Sequence, residues 1–291
     1  MEMPPKAKLP ESEIAVLEEW VKRGAPDPRD AVAEAKAVKK PGVDVKEGRK
    51  HWAYQPVRDS QPPAVKKTNW PVNDVDRFIL AKQESAGLTP APDADAHTWL
   101  RRVTFDLTGL PPTEAEIAAF LESHRSHGTH LSHSAVVDRL LSSKAYGERW
   151  ARHWLDLVGY AEQIGTEGKV FAEHAWRYRD YLVESFLHDK PFDRFIREQL
   201  AGDLLPAASP QERRENLIAT GFIVLGDVDI NAIDKLKMEH DFVDSQVSKV
   251  GITFLGMTLG CVRCHDHKFD AIGQQDYYAL AAIFRNTKAT F

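Results

Sequence analysis

Apolar residues recur along most of this chain at spacings of three and four, the pattern of helices with one buried face. From Asn73 onward the pattern predicts helices over 73–86, 94–107, 113–121, 135–141, 146–161, 175–187, 192–200, 211–222 and 274–284. Their punctuation agrees: Gly87 and Gly109 follow two of the ends, and Pro191 and Pro210 precede two of the starts. Thr113 with Glu116 forms the sequence signature of a capping box. In the helix predicted over 146–161, Tyr146, Trp150, His153, Trp154, Leu157 and Ala161 are assigned to one face. A further short helix is expected from Leu9 to Gly24, with Ser12 as its cap and Ile14, Leu17, Trp20 and Val21 as its apolar stripe. Only Phe222–Leu225 reads as a strand. The expected fold class is mainly α, a multi-helical orthogonal bundle with little strand.

The longest periodic segment runs over 233–259. Leu236, His240, Val243, Val247, Val250, Phe254, Met257 and Cys261 alternate at steps of four and three, so they predict one unbroken stripe. Proline punctuates a different region: Pro56, Pro62, Pro63 and Pro71 make 55–71 extended and poor in helix. Residues 31–72 are therefore read as a linker and extended approach, and 73–291 as the helical body.

Composition narrows the class. The 291 residues are 43% hydrophobic, enough for a core, and no run of them reaches the ~18 apolar residues of a membrane helix. The 38 basic residues are outnumbered by 43 acidic ones, which argues against a nucleic-acid partner. Met1 to Pro5 lacks the basic and apolar regions of a signal peptide. Among His124, His127, His130 and His133, spaced three apart with Gly128 and serines between them, a flexible loop with no defined metal site is expected.

The chemistry concentrates in the two cysteines, Cys261 and Cys264, which His265 follows directly. Two cysteines make no disulfide framework at this length. C-x-x-C-H is the attachment motif of c-type haem: two thiols spaced this way bridge the two vinyl groups of a porphyrin, and the histidine becomes the proximal iron ligand. Two other readings compete. One is zinc on Cys261, Cys264, His265 and His267, although ligands this close strain a tetrahedral site; the other is a plain dithiol. His153, among aromatic neighbours, is the candidate distal ligand, with a core histidine as the alternative. His240 is excluded if its helix is continuous, because it then lies about 30 Å along the axis from Cys261. Met257 is awkwardly placed for the far side of a haem, and His51 and His174 stand outside the argument. Asp266 or Asp270 could bond the outer nitrogen of His265 or could simply hold a turn. Arg263 and Lys268 could face haem propionates.

Several segments together resemble a known family: His51-Trp52-Ala53-Tyr54-Gln55-Pro56-Val57, Asp76-Arg77-Phe78-Ile79-Leu80, Leu100 to Pro112, Tyr146 to Trp150, His153 to Asp156, Ala175 to Tyr181, Asp193-Arg194-Phe195 and Cys261 to Asp270. The likeness covers about residues 51–288, and is to the cytochrome-associated domain of unknown function found in large planctomycete-type secreted proteins. In that family the domain follows a cytochrome c-like domain and precedes another domain of unknown function. Met3-Pro4-Pro5 and the helix after it are similar to the tail of a cytochrome c. On that likeness, residues 1–30 are the C-terminal remnant of a cytochrome c-like domain, and Met3 is the ligand of a haem bound further upstream. The resemblance implies a periplasmic or otherwise extracytoplasmic protein and an electron-transfer role with its neighbouring domains as partners. It leaves open a haem-dependent or hydrolytic enzyme of polymer breakdown, or a scaffold with a zinc or thiol site. This chain departs from the family pattern at Ala271, where proline is common, and over 160–173.

Overall fold

A computed structural model describes residues 9–26, 43–127, 129–164, 170–226 and 233–287. The chain divides into two compact units, Met1–Gly42 and Val43–Phe291. In the first, the described residues form α1 (Glu11–Lys22), capped by the backbone of Pro10 with no side-chain bond from Ser12. Leu17, Trp20 and Val21 are exposed along it. Met3 lies outside the described residues.

The second unit is mainly helical, as the periodicity requires. It contains α2 (Val45–Gly48), α3 (Asp74–Ser85), α4 (Ala96–Thr108), α5 (Glu114–His127), α6 (Thr129–Leu141) and α7 (Lys144–Val158). There follow α8 (Ala175–Leu187), α9 (Phe192–Ala201), α10 (Pro210–Ala219), α11 (Gly221–Val224), α12 (Lys235–Val250) and α13 (Gln274–Phe284). Gln163–Ile164 and Val170–Phe171 pair antiparallel, which is the strand content of the described residues. The capping box read from the sequence forms, with Thr113 N–H donating to Glu116 Oε2 at 2.7 Å and Glu116 N–H to Thr113 Oγ1 at 3.3 Å, and Asn73 and Asp76 exchange another.

Two cores organise this unit. The smaller gathers Leu100, Phe120, Val136 and Leu140 from α4, α5 and α6. The larger joins Trp154, Tyr178, Leu182, Phe195, Phe222, Val247, Leu259, Val262 and Tyr277, and so runs from α7 to the cysteine turn. Its polar members are bonded: Trp154 Nε1 donates to Gln199 Oε1 at 2.9 Å, and buried Glu198 accepts from Lys190, Arg194 and Tyr181.

Four expectations change. Phe222–Leu225 is helical through Val224, because a short apolar run fits a buried helix turn as well as a strand. The histidine tract lies on helices, the ends of α5 and α6, instead of a loop. His133 stacks on Trp99 at 3.7 Å between centroids, and His124 stacks on His133 at 5.6 Å. The side chains of His127 and His130 lie outside the described residues. The buried face of α7 is Gly147, Ala151, Trp154 and Val158, a stripe that leaves His153 exposed with its ring against Trp150. His153 is therefore no core histidine. The fourth change concerns the long 233–259 segment, which does not stay one helix.

Candidate functional site

After α12 the chain takes one π-helical turn, Gly251–Leu255, and then Gly256 at φ +64° breaks it. A left-handed residue cannot continue the helix, and glycine enters that region without a Cβ penalty. The chain then folds back along α12. Leu259 packs on Gly251, where a Cβ would lie 2.6 Å from the leucine side chain. Gly260 sits opposite Ser248, where a Cβ would lie 3.1 Å from Oγ. Arg263 Nη1 reaches Asp241 Oδ1 at 2.9 Å and Asp244 Oδ2 at 3.7 Å. The reversal supersedes the exclusion of His240, which rested on a continuous helix.

The motif itself folds as a 3-10 turn, Gly260–Arg263. With three residues per turn, side chains three apart eclipse one another. Val262 points into the core and is fully buried, so Cys261 and Cys264 come out together on the solvent side. Both are free thiols and both are exposed. His265 is exposed beside them, and its Nδ1 lies 2.8 Å from the carbonyl oxygen of Asp266. A carbonyl only accepts, so Nδ1 carries the proton and Nε2 keeps its lone pair free. The orienting partner is thus main chain; neither Asp266 nor Asp270 supplies it. The Asp266 carboxylate instead accepts from Gln274 N–H at 2.8 Å.

His267 has a different task. It is buried, and Nδ1 accepts backbone N–H bonds from Asp270 at 2.8 Å and Phe269 at 3.3 Å, while Nε2 meets Thr258 Oγ1 at 3.3 Å. With both ring nitrogens engaged in holding the turn, the Cys2His2 zinc set does not assemble. Among the described residues no group of three or more Cys, His, Asp or Glu side chains is placed to hold a metal ion.

Residues from α13 and from the 43–55 segment brace this loop. Gln274 Nε2 and Tyr278 OH donate to the Arg263 carbonyl at 2.9 and 3.1 Å, and Tyr277 OH donates to Asp244. Arg49 grips Asp276 with bonds of 2.8 and 2.6 Å, and Tyr54 OH accepts from Ala271 N–H at 3.4 Å. Arg263 is committed to Asp241, a bond that raises its pKa further, and Lys268 lies over the Phe269 ring at 5.0 Å. Arg263 is thus occupied by carboxylates and does not stand free for propionates. Composition alone did not single out Gln274, Tyr277 or Tyr278; the only signal was their position early in the helix after the motif.

Large apolar side chains stand exposed on the same elements. Phe269 is 73% exposed, Trp52 is 79% exposed, and Leu255 and Tyr278 are about half exposed. Met257 is packed against the larger core. His174 is exposed at the start of α8, and His153 lies on α7, whose main packing partners are α8, α4 and α6. The elements packed on the cysteine turn are α12 and α13.

No helix among the described residues is long and apolar enough to cross a membrane. No curated protein and no solved structure matches the chain. The family model described as PSCyt2, protein of unknown function (DUF1549), matches residues 74–289, which include α3 to α13 and the whole cysteine loop. The chain belongs to this family of planctomycete cytochrome-associated domains of unknown function.

Proposed function

We propose that this domain carries one covalent haem c on Cys261 and Cys264, with His265 as proximal ligand, and works in electron transfer. The observation that carries the reading is the pairing of two co-facing, exposed thiols with an adjacent imidazole whose Nδ1 is tied to a carbonyl and whose Nε2 is free. The donor set fits the group. Each thiol would add its S–H across one vinyl double bond, sulfur to one carbon and hydrogen to the other, with nothing leaving and no oxidant consumed. Bound haem supplies a one-electron iron couple.

The protein's share is to hold the three donors in register. Val262 anchors the turn in the core, the Asp266 carbonyl fixes the imidazole tautomer, and Gln274 and Tyr278 hold the Arg263 carbonyl. Phe269, Trp52, Leu255 and Tyr278 are exposed apolar side chains on the cysteine loop and the segments beside it, available to pack on a porphyrin. Because c-type haem is attached outside the cytoplasm, we place the working protein there, next to the cytochrome c-like and downstream domains that accompany this family.

The test is a pyridine haemochrome spectrum on the chain produced with c-type maturation machinery. One covalent haem per chain is expected, reduced to none in the Cys261→Ala, Cys264→Ala double variant. A wild-type chain with intact fold and no covalent haem would end the reading.

A further inference from the structure

The helix α3 has a held back and an open front. Leu80 is its one buried residue, and two of its carboxylates are spent on main chain. Asp76 accepts from Val72 N–H at 2.8 Å, and Glu84 accepts from the N–H groups of Lys66 and Lys67 at 3.0 and 3.1 Å. These bonds tie α3 to the extended segment before it. Among the described residues no other helix packs alongside it. At about 100° per residue, Val75, Phe78 and Lys82 point away from Leu80, and Ile79 stands beside them. Val75 is 64% exposed, and Phe78 and Ile79 are each 46% exposed. Residues three and four apart are neighbours on a helix, so these three form one continuous apolar strip.

Charge makes this front complementary to itself. Asp74, Phe78 and Lys82 are four apart, so they form one ridge through the middle of the exposed face. Each step of four carries ~6 Å along the axis. The acid therefore stands as far to one side of Phe78 as the lysine stands to the other. When a second α3 is laid antiparallel on the first, with the two-fold axis at Phe78, the phenyl rings meet at the centre. Asp74 of each copy then faces Lys82 of the other, and the two helix dipoles run in opposite directions. A parallel pairing would instead set Asp74 against Asp74 and Lys82 against Lys82. Both charges are available for this: the Asp74–Arg77 pair is 3.7 Å long and solvent-exposed, a contact worth little, and Lys82 is exposed.

We propose that the front of α3 is an interface between two copies of this chain, an antiparallel helix pair centred on Phe78 and flanked by two Asp74–Lys82 ion pairs. It goes beyond the haem reading and does not depend on it. The apolar strip supplies the attraction, and the ion pairs set register and orientation. One helix face is small beside the ~800 Å² per partner of a standard interface. The association is therefore weak and reversible, with a dissociation constant between ~1 µM and ~1 mM.

Light scattering of the full chain across that concentration range tests it, with a thiol reductant present so that Cys261 and Cys264 link no copies. The wild type should pass from monomer to dimer, and Phe78→Glu should stay monomeric. Asp74→Lys and Lys82→Asp each set like charges opposite one another, and each should weaken the dimer at least about tenfold. The chain carrying both exchanges should recover the wild-type association. Far-ultraviolet circular dichroism checks that every variant is folded; if Phe78→Glu is not, the charge exchanges decide alone. A wild type that is monomeric throughout overturns the proposal. So does a Phe78→Glu chain that dimerises like the wild type, which would put the interface on another surface, such as the exposed stripe of α1. Single exchanges without effect, or a double exchange no better than the single ones, overturn it too.

Discussion

Lys249 ends inside the protein, and its ammonium group donates to the carbonyls of Phe222, at 2.9 Å, and Leu225. Those are carbonyls at the end of α11, which need a donor once the helix stops. Burial opposes the charge and lowers the lysine pKa to about 8. The unfolded chain restores the ordinary value near 10.5, so between about pH 8 and 10.5 it binds more protons than the folded one. Stability referred to Lys249→Met should therefore be flat below pH 8 and rise with pH above it, by at most ~1.4 kcal/mol per pH unit. Urea titrations of both proteins at pH 7, 9 and 10 measure this. A flat difference across the range would mean that the two carbonyls offset the burial completely. Nothing in the sequence marks this lysine, because its partners depend on how α11 meets α12.

The elements themselves were largely legible. Amphipathic stretches such as 175–187 and 274–284 form at the predicted bounds because their apolar periodicity matches a buried helical face. Legibility ends where a pattern is compatible with two structures. The stripe through Cys261 keeps its three-and-four spacing across Gly256, yet the backbone turns back at that residue, so the periodicity alone does not place the start of α12 relative to Cys261. Likewise, the thiols and His265 were evident from their spacing, but their orienting groups, the Asp266 carbonyl and the side chains of Gln274 and Tyr278, come from backbone geometry and from the helix that follows. Gly256→Ala isolates the cost of the reversal, since nothing lies within 4 Å of where the new Cβ would be. The loss should be about 1 kcal/mol from backbone strain alone, with Gly256→Asn less harmful. Chemical denaturation of the three proteins reads it, and equal stabilities would show that the turn does not need a left-handed residue.

Across the second unit, the segment 43–55 is far in sequence from the cysteine loop and yet braces it. Arg49 binds Asp276 in the first turn of α13, Tyr54 meets Asp270 and Ala271, and Gly48 lies on Ala271. Ala271 is the position where the family pattern commonly has proline; in this chain its N–H donates to Tyr54 OH, a bond that proline could not make. The exposed Arg49–Asp276 pair contributes at most ~1 kcal/mol, so the close approach of Gly48 to Ala271 matters as much as the charge. A Cβ at Gly48 would lie 2.7 Å from the Ala271 Cβ, and also from the movable Val43 side chain. Gly48→Val should therefore lift the segment while the buried cores of the helical body stay intact. Trypsin should then cut at Lys46, Arg49 or Lys50 well before it attacks the helices, and amide exchange should quicken at Ala271, whose N–H loses Tyr54. If proteolysis and exchange match the wild type, the segment is held by contacts other than these, and the brace has no part in fixing the cysteine loop.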